Sequence, residues 1–113
     1  MTREEVAACA MALPAATHVV QWGGSDVYKV GGKVFAICGL RGGVSFKVSE
    51  IGFEVLTDAG GPARQAPYLA KGHWVIVDLE DADGEDMGGW LETAHALITA
   101  KLTKKSRAEL GLP

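Results

Sequence analysis

Asp26-Val27-Tyr28-Lys29-Val30-Gly31-Gly32-Lys33-Val34-Phe35-Ala36-Ile37-Cys38 decides the fold. Two runs rich in β-branched and aromatic residues flank Gly31-Gly32, and a two-residue glycine loop between such runs signals a tight hairpin. Upstream, Thr17 to Gln21 reads as a further strand, broken by Trp22-Gly23-Gly24. Downstream, Gly39-Leu40-Arg41-Gly42-Gly43 turns the chain into Val44-Ser45-Phe46-Lys47-Val48. Its alternation predicts a half-buried strand with Ser45 and Lys47 on the water side.

The second informative stretch is Pro67-Tyr68-Leu69-Ala70-Lys71-Gly72-His73-Trp74-Val75-Ile76-Val77-Asp78. A strand over His73 to Leu79 puts Trp74, Ile76 and Asp78 on one face and His73, Val75 and Val77 on the other. Ile76 suggests that the Trp74 face is the buried one, which leaves His73 toward the open side. Ala63 to Gly72 reads as a loop with room for a short extended piece.

Helices frame these strands. Thr2 and Glu5 form a capping box, after which Val6, Cys9, Ala10 and Leu13 share a face until Pro14. Ser49 caps a short helix, Glu50 to Asp58. The last helix shows Met87, Trp90, Leu91, Ala94, Leu97, Ile98 and Leu102 at three- and four-residue steps. Glu85 or Asp86 would cap it, Gly88-Gly89 would delay its start toward Trp90 or let the backbone approach a neighbour closely, and Lys101, Lys104, Lys105 and Arg107 would fill its last turns. Trp90 falls on its core stripe. Strands in succession joined by glycine turns mean an antiparallel sheet. The fold class is α+β: a two-layer sandwich, the sheet covered on one face by the N- and C-terminal helices. With 113 residues, the chain is one domain, 1–113.

Composition removes several classes. Cys9 and Cys38 are the only cysteines, too few for a disulfide framework or a zinc site, and both sit among apolar neighbours. The start is charged where a signal peptide would be basic then apolar, and no apolar run spans a membrane. A reducing cytoplasm is the expected compartment. Ser25, Ser45, Ser49 and Ser106 lack a nucleophile elbow, and His18, His73 and His95 have no acid at suggestive spacing, so no catalytic residue is expected. Six acids between Asp78 and Asp86 make a solvated turn; glycine falls at the wrong place for an EF-hand, and no metal or cofactor is expected. Net charge is −3, yet outside that turn eleven basic side chains face eight acidic ones. Lys29, Lys33, Arg41, Lys47 and Lys71 are the coherent cationic set, and cations at phosphate reach are what duplex contact needs. Tyr68, His73 and Trp74 are the candidates for gripping a protein or small molecule.

Trp22-Gly23, the Tyr28–Ala36 hairpin, Phe46-Lys47, Pro67 to Asp78, and Leu97 to Leu110 with its Lys-Lys-x-Arg together resemble the MmcQ/YjbR family. The resemblance implies a CyaY-like, that is frataxin-like, topology and DNA binding through a double wing of hairpins. On this chain the wings would be the Tyr28–Phe35 hairpin and the Cys38–Val44 connection. The acids that a frataxin-like iron site draws from its first helix reduce here to Glu4 and Glu5. The expectation is thus a non-enzymatic protein that touches duplex DNA weakly and without regard to sequence. The alternative is a module that takes a protein or small ligand on the open sheet face around His73 and Trp74.

Overall fold

The computed structural model describes residues 1–67 and 72–113. In chain order the elements are α1 (Arg3–Met11), β1 (Ala16–Gln21), β2 (Ser25–Val30), β3 (Lys33–Cys38), β4 (Gly43–Lys47), α2 (Glu50–Thr57), β5 (Ala63–Gln65), β6 (Trp74–Asp78), α3 (Gly84–Thr99) and α4 (Lys104–Glu109). The strands form one sheet in the order β1-β2-β3-β4-β6-β5, antiparallel throughout. The expected α+β sandwich is therefore present.

Local signals place the helix starts. The Glu5 amide donates to Thr2 Oγ1 and the Thr2 amide to Glu5 Oε1, each over 3.1 Å. This satisfies two amides that the first helical turn leaves without partners. Ser49 Oγ takes the Gly52 amide at 3.0 Å to start α2. Three expectations for the C-terminal region are corrected. Asp83, not Glu85 or Asp86, caps α3, accepting from the Asp86 amide at 2.8 Å. The helix runs straight through Gly88-Gly89 rather than starting after them. It also ends at Thr99, and Thr103 caps a separate α4 by accepting from the Ser106 amide at 3.0 Å. A threonine able to bond a backbone amide ahead of it competes with helix continuation, and here it wins. Lys104, Lys105 and Arg107 thus belong to α4, not to the end of α3.

The hairpin at Gly31-Gly32 forms as read, both glycines at positive φ. A Cβ on Gly31 would strike the Leu102 methyls, so the glycine also lets the turn after α3 close over the hairpin. Tyr28 pairs with Ala36, whereas Lys29 pairs with Val34. Phe35 is the extra residue of a β-bulge, and Phe35 and Ala36 both end in the core. With Tyr28, Val30, Cys38, Val44, Phe46, Val75 and Val77 they make the inner face of the sheet. Val6 and Ala10 of α1 and Met87, Leu91, Ala94 and Ile98 of α3 cover it. Trp90 is half-buried rather than core. Its ring stacks on Phe46 at 5.6 Å, at the seam between α3 and α2.

These burials order the stability effects. Leu91→Ala should cost about 3 kcal/mol, the usual range for emptying a buried leucine site, and Trp90→Ala about 2 kcal/mol or less. Urea unfolding of the two variants measures both. A larger loss at Trp90 would contradict the helix register.

Candidate functional site

The face of the sheet opposite α1 and α3 carries the alternate residues. The pairings align Val19, Val27, Ile37, Ser45, Ile76 and Arg64 in one row across all six strands. Beside it runs a second row, Thr17, Lys29 and Val34, and nearer the other edge Lys47 pairs with Trp74. Trp74 and Ile76 are half-buried here, while Val75 and Val77 are fully buried on the inner face. The assignment of faces at this strand is thereby corrected. Trp74 belongs to the outer face, and His73 turns the other way, its ring 5.8 Å from Phe53 of α2. Val75 and Val77 pair with the core residues Phe46 and Val44, whereas Ile76 pairs with Ser45 and Arg64, so the helices cover the Val75–Val77 side. Tyr68 and Lys71 lie outside the described residues.

The cations expected to act together are dispersed. Lys29 and Lys47 are on the outer face. Lys33 is exposed beside the Gly31-Gly32 turn, and Arg41 is exposed at the turn between β3 and β4. These turns lie at opposite ends of β3, about 20 Å apart at ~3.3 Å per residue. Arg41 shares a recess with Met1, Asp78 and Glu80, because the Leu79 amide donates to Gly42 O at 2.8 Å. The β4–β6 pairing brings the acidic turn alongside Arg41. Asp78, Glu80 and Asp81 converge there within 4.8 Å of one another. Arg64 reaches Asp78 at 3.4 Å, and the N-terminal ammonium donates to Leu79 O at 3.1 Å.

Lys47 departs most from its expected surroundings. Alternation made it a solvated side chain, yet β4 is buried along its length and Lys47 is only 7% exposed. Its flanks are β3 and β6, so it lies in the middle of the sheet. A Cβ on Gly72 would sit on its Nζ, so the glycine, at φ +78°, leaves the amine its place. Among the described residues no carboxylate pairs with it. Burial, and then the neighbouring Lys101 ammonium, push its pKa below the ordinary lysine value. A largely buried ammonium, with no carboxylate partner among the described residues, stands opposite Trp74 on the outer face.

A histidine–acid pair also forms that sequence spacing did not reveal. Its signal was the Trp22-Gly23-Gly24 turn, which sets β1 against β2 and brings His18 diagonally to Asp26. His18 Nε2 lies 2.8 Å from Asp26 Oδ1, and Arg3 donates to Asp26 Oδ2 and to Gly39 O. The His18 hydrogen bond, and then Arg3, hold the Asp26 carboxyl below its ordinary range. Tyr28 lies under the His18 ring at 5.2 Å, its phenol pushed up to about 12, first by burial and then by Asp26. The group staples α1 to the edge strand. His95 is structural: buried, its Nε2 lies 2.7 Å from Pro14 O and its ring is edge-on to Phe35. Cys9 and Cys38 are both free.

Two stability effects follow from these charges. Asp26→Asn should cost about 1–3 kcal/mol at neutral pH, the range for charge-assisted hydrogen bonds. Because the folded pKa lies below the unfolded one, the gap between parent and variant is present above the ordinary value of 3.8 and closes as pH falls through the folded pKa. A gap that persists unchanged down to about pH 2 in chemical denaturation would contradict the staple. For Lys47 the sign is opposite. Between its depressed folded pKa and the ordinary 10.5, the unfolded chain holds more protons, so stability rises with pH. Lys47→Met should raise neutral-pH stability by about 1–2 kcal/mol, as replacing an unpaired buried charge does, and abolish the alkaline rise. A lower melting temperature in that variant would show the ammonium to be satisfied.

The comparisons with known proteins agree with this architecture. The YjbR family model matches residues 11–97, a span that includes all six strands. No curated protein matches the sequence. Among solved structures, Deinococcus radiodurans protein DR2400, with a DUF419 domain, superposes with a TM-score of 0.87 and 28% identity, over 99% of this chain and 89% of that one. Among the described residues no helix is long and apolar enough to cross a membrane. The chain belongs to the YjbR family.

Proposed function

We propose that this protein is a non-enzymatic binding module that takes a small anion-bearing ligand, or a carboxylate of a protein partner, on the outer sheet face between Trp74 and Lys47. The observation that carries this reading is the Lys47 ammonium, 7% exposed and unpaired among the described residues, opposite a half-buried Trp74. A group held at the expense of stability in the middle of a sheet is the kind of local inconsistency that function explains. An anion there would pair the ammonium in a site partly shielded from water, where the attraction is stronger than in open solvent. Trp74 would supply apolar contact area, and Ile37 and Ile76 would bound the ligand. The free thiols support a reducing compartment such as the cytoplasm.

Duplex DNA is the competing ligand, through wings at Lys33 and Arg41. The separation of those two tips, and the acids beside Arg41, weigh against it. The two readings part in one experiment. Amide and indole NMR signals are followed on adding benzoate, inorganic phosphate and a random-sequence duplex. The ligand reading expects benzoate or phosphate to shift the Trp74 indole signal saturably, with about tenfold weaker binding in Lys47→Met. The wing reading instead expects duplex binding with a log–log salt slope near −3.6, for about four phosphates, flattened by Arg41→Ala with Lys33→Ala and indifferent to Lys47→Met. The second pattern, or no saturable shift with any of the three, overturns the proposal.

A further inference from the structure

The helix layer has a feature that neither the core nor the outer face uses. Ile51 and Val55, one turn apart on α2, are 74% and 67% exposed. They edge a groove of about 390 Å³ between α2 and α3, whose floor is Phe46, Val48 and Trp90. A single exposed leucine or valine needs no explanation, but two aligned on one helix beside an aromatic-floored groove form a docking geometry.

The charges around it identify what fits. Neither α2 nor α3 contains a Lys or Arg. Glu50 and Glu54, followed by Asp58, run along α2 next to the Ile51–Val55 line, and α3 adds Asp86, one turn before Trp90. Such a rim repels nucleic acid and anionic lipid and attracts cations. The protein's own basic helix does not meet the requirement. The α4 segment, Lys-Lys-Ser-Arg-Ala-Glu, has no pair of large apolar side chains one turn apart.

Gly89 supplies an independent sign. It lies in the interior of α3, adjacent to the groove-lining Trp90 and Thr93, where glycine weakens a helix relative to alanine. Yet a Cβ built there would meet nothing within 4 Å. Nothing among the described residues requires its small size, whereas a segment lying close against the α3 backbone would.

We propose that the α2–α3 groove receives an amphipathic helical segment of a protein partner, with large apolar residues one turn apart and Lys or Arg on its flanks. The apolar pair would fill the groove over Trp90, and the flanking cations would meet Glu50, Glu54 and Asp58. The site lies in the helix layer, so it is independent of the ligand proposed for the Trp74 face.

The test uses a fluorescein-labelled peptide of about 16 residues, with leucines at i, i+4 and i+7 and lysines or arginines elsewhere, and a counterpart with glutamates in place of the cations. Anisotropy should report saturable binding of the basic peptide in the micromolar range, at least about tenfold tighter than the acidic one, and weakened by salt. Ile51→Asp with Val55→Asp should reduce affinity by about tenfold or more without lowering the melting temperature, since both side chains are exposed. Gly89→Ala should raise the melting temperature yet weaken the peptide severalfold, two effects of opposite sign that a purely structural glycine would not give. Equal binding of the two peptides, parental affinity in the Ile51/Val55 variant, or no saturation at about 1 mM peptide overturns the proposal. So does a protein dimer in sedimentation that the same variant dissociates, because the occupant would then be a second copy.

Discussion

One slipped pairing governs this molecule. Between Tyr28 and Lys29 the register with β3 shifts, and Phe35 is bulged into the core next to Ala36. Because strand side chains alternate, a one-residue offset exchanges the faces of everything on one side of it. Beyond the bulge, Ala36 and Cys38 point inward and Ile37 outward, and β4 and β6 inherit that phase through their pairings. Phe46 therefore meets Trp90 inside, and Lys47 meets Trp74 outside. Without the bulge, the phase set by Phe35 would send the β4 and β6 residues to the other faces.

The same phase explains which parts of the chain were legible from sequence. The hairpin at Gly31-Gly32, the capping box at Thr2 and Glu5, and the cap at Ser49 are local devices, and each forms as read. The identity of faces at β6 is not local. Trp74 and Ile76 are as apolar as Val75 and Val77, and only the chain of pairings back to the bulge decides between them. The burial of Lys47 was illegible for a related reason. Alternation alone does not reveal that Ser45 and Lys47, on the outer face of a central strand, are buried along with the inner residues. His18 and Asp26 were likewise separated in sequence and joined only by the β1–β2 register.

Charge is distributed by topology rather than by composition. The expected cationic set divides between the two ends of the sheet and its outer face, and the acidic turn folds back beside Arg41. What this leaves is short-range electrostatics. Arg3 and His18 hold Asp26, and Arg64 reaches Asp78. Lys47 alone combines deep burial with no opposite charge among the described residues. Screening confines exposed charges to about 8 Å at physiological salt, but a buried ammonium is screened far less. One desolvated lysine can therefore matter more to binding than several solvated ones.

The central claim is that this ammonium is held unpaired until an anion reaches it. The most direct measurement is the ionisation of the Lys47 amine itself, followed by NMR of its side-chain carbons with and without saturating benzoate or inorganic phosphate. A value below the ordinary 10.5 in the free protein, rising toward it when the anion is added, is the predicted result. An ordinary value in the free protein, unchanged by either anion, would contradict it.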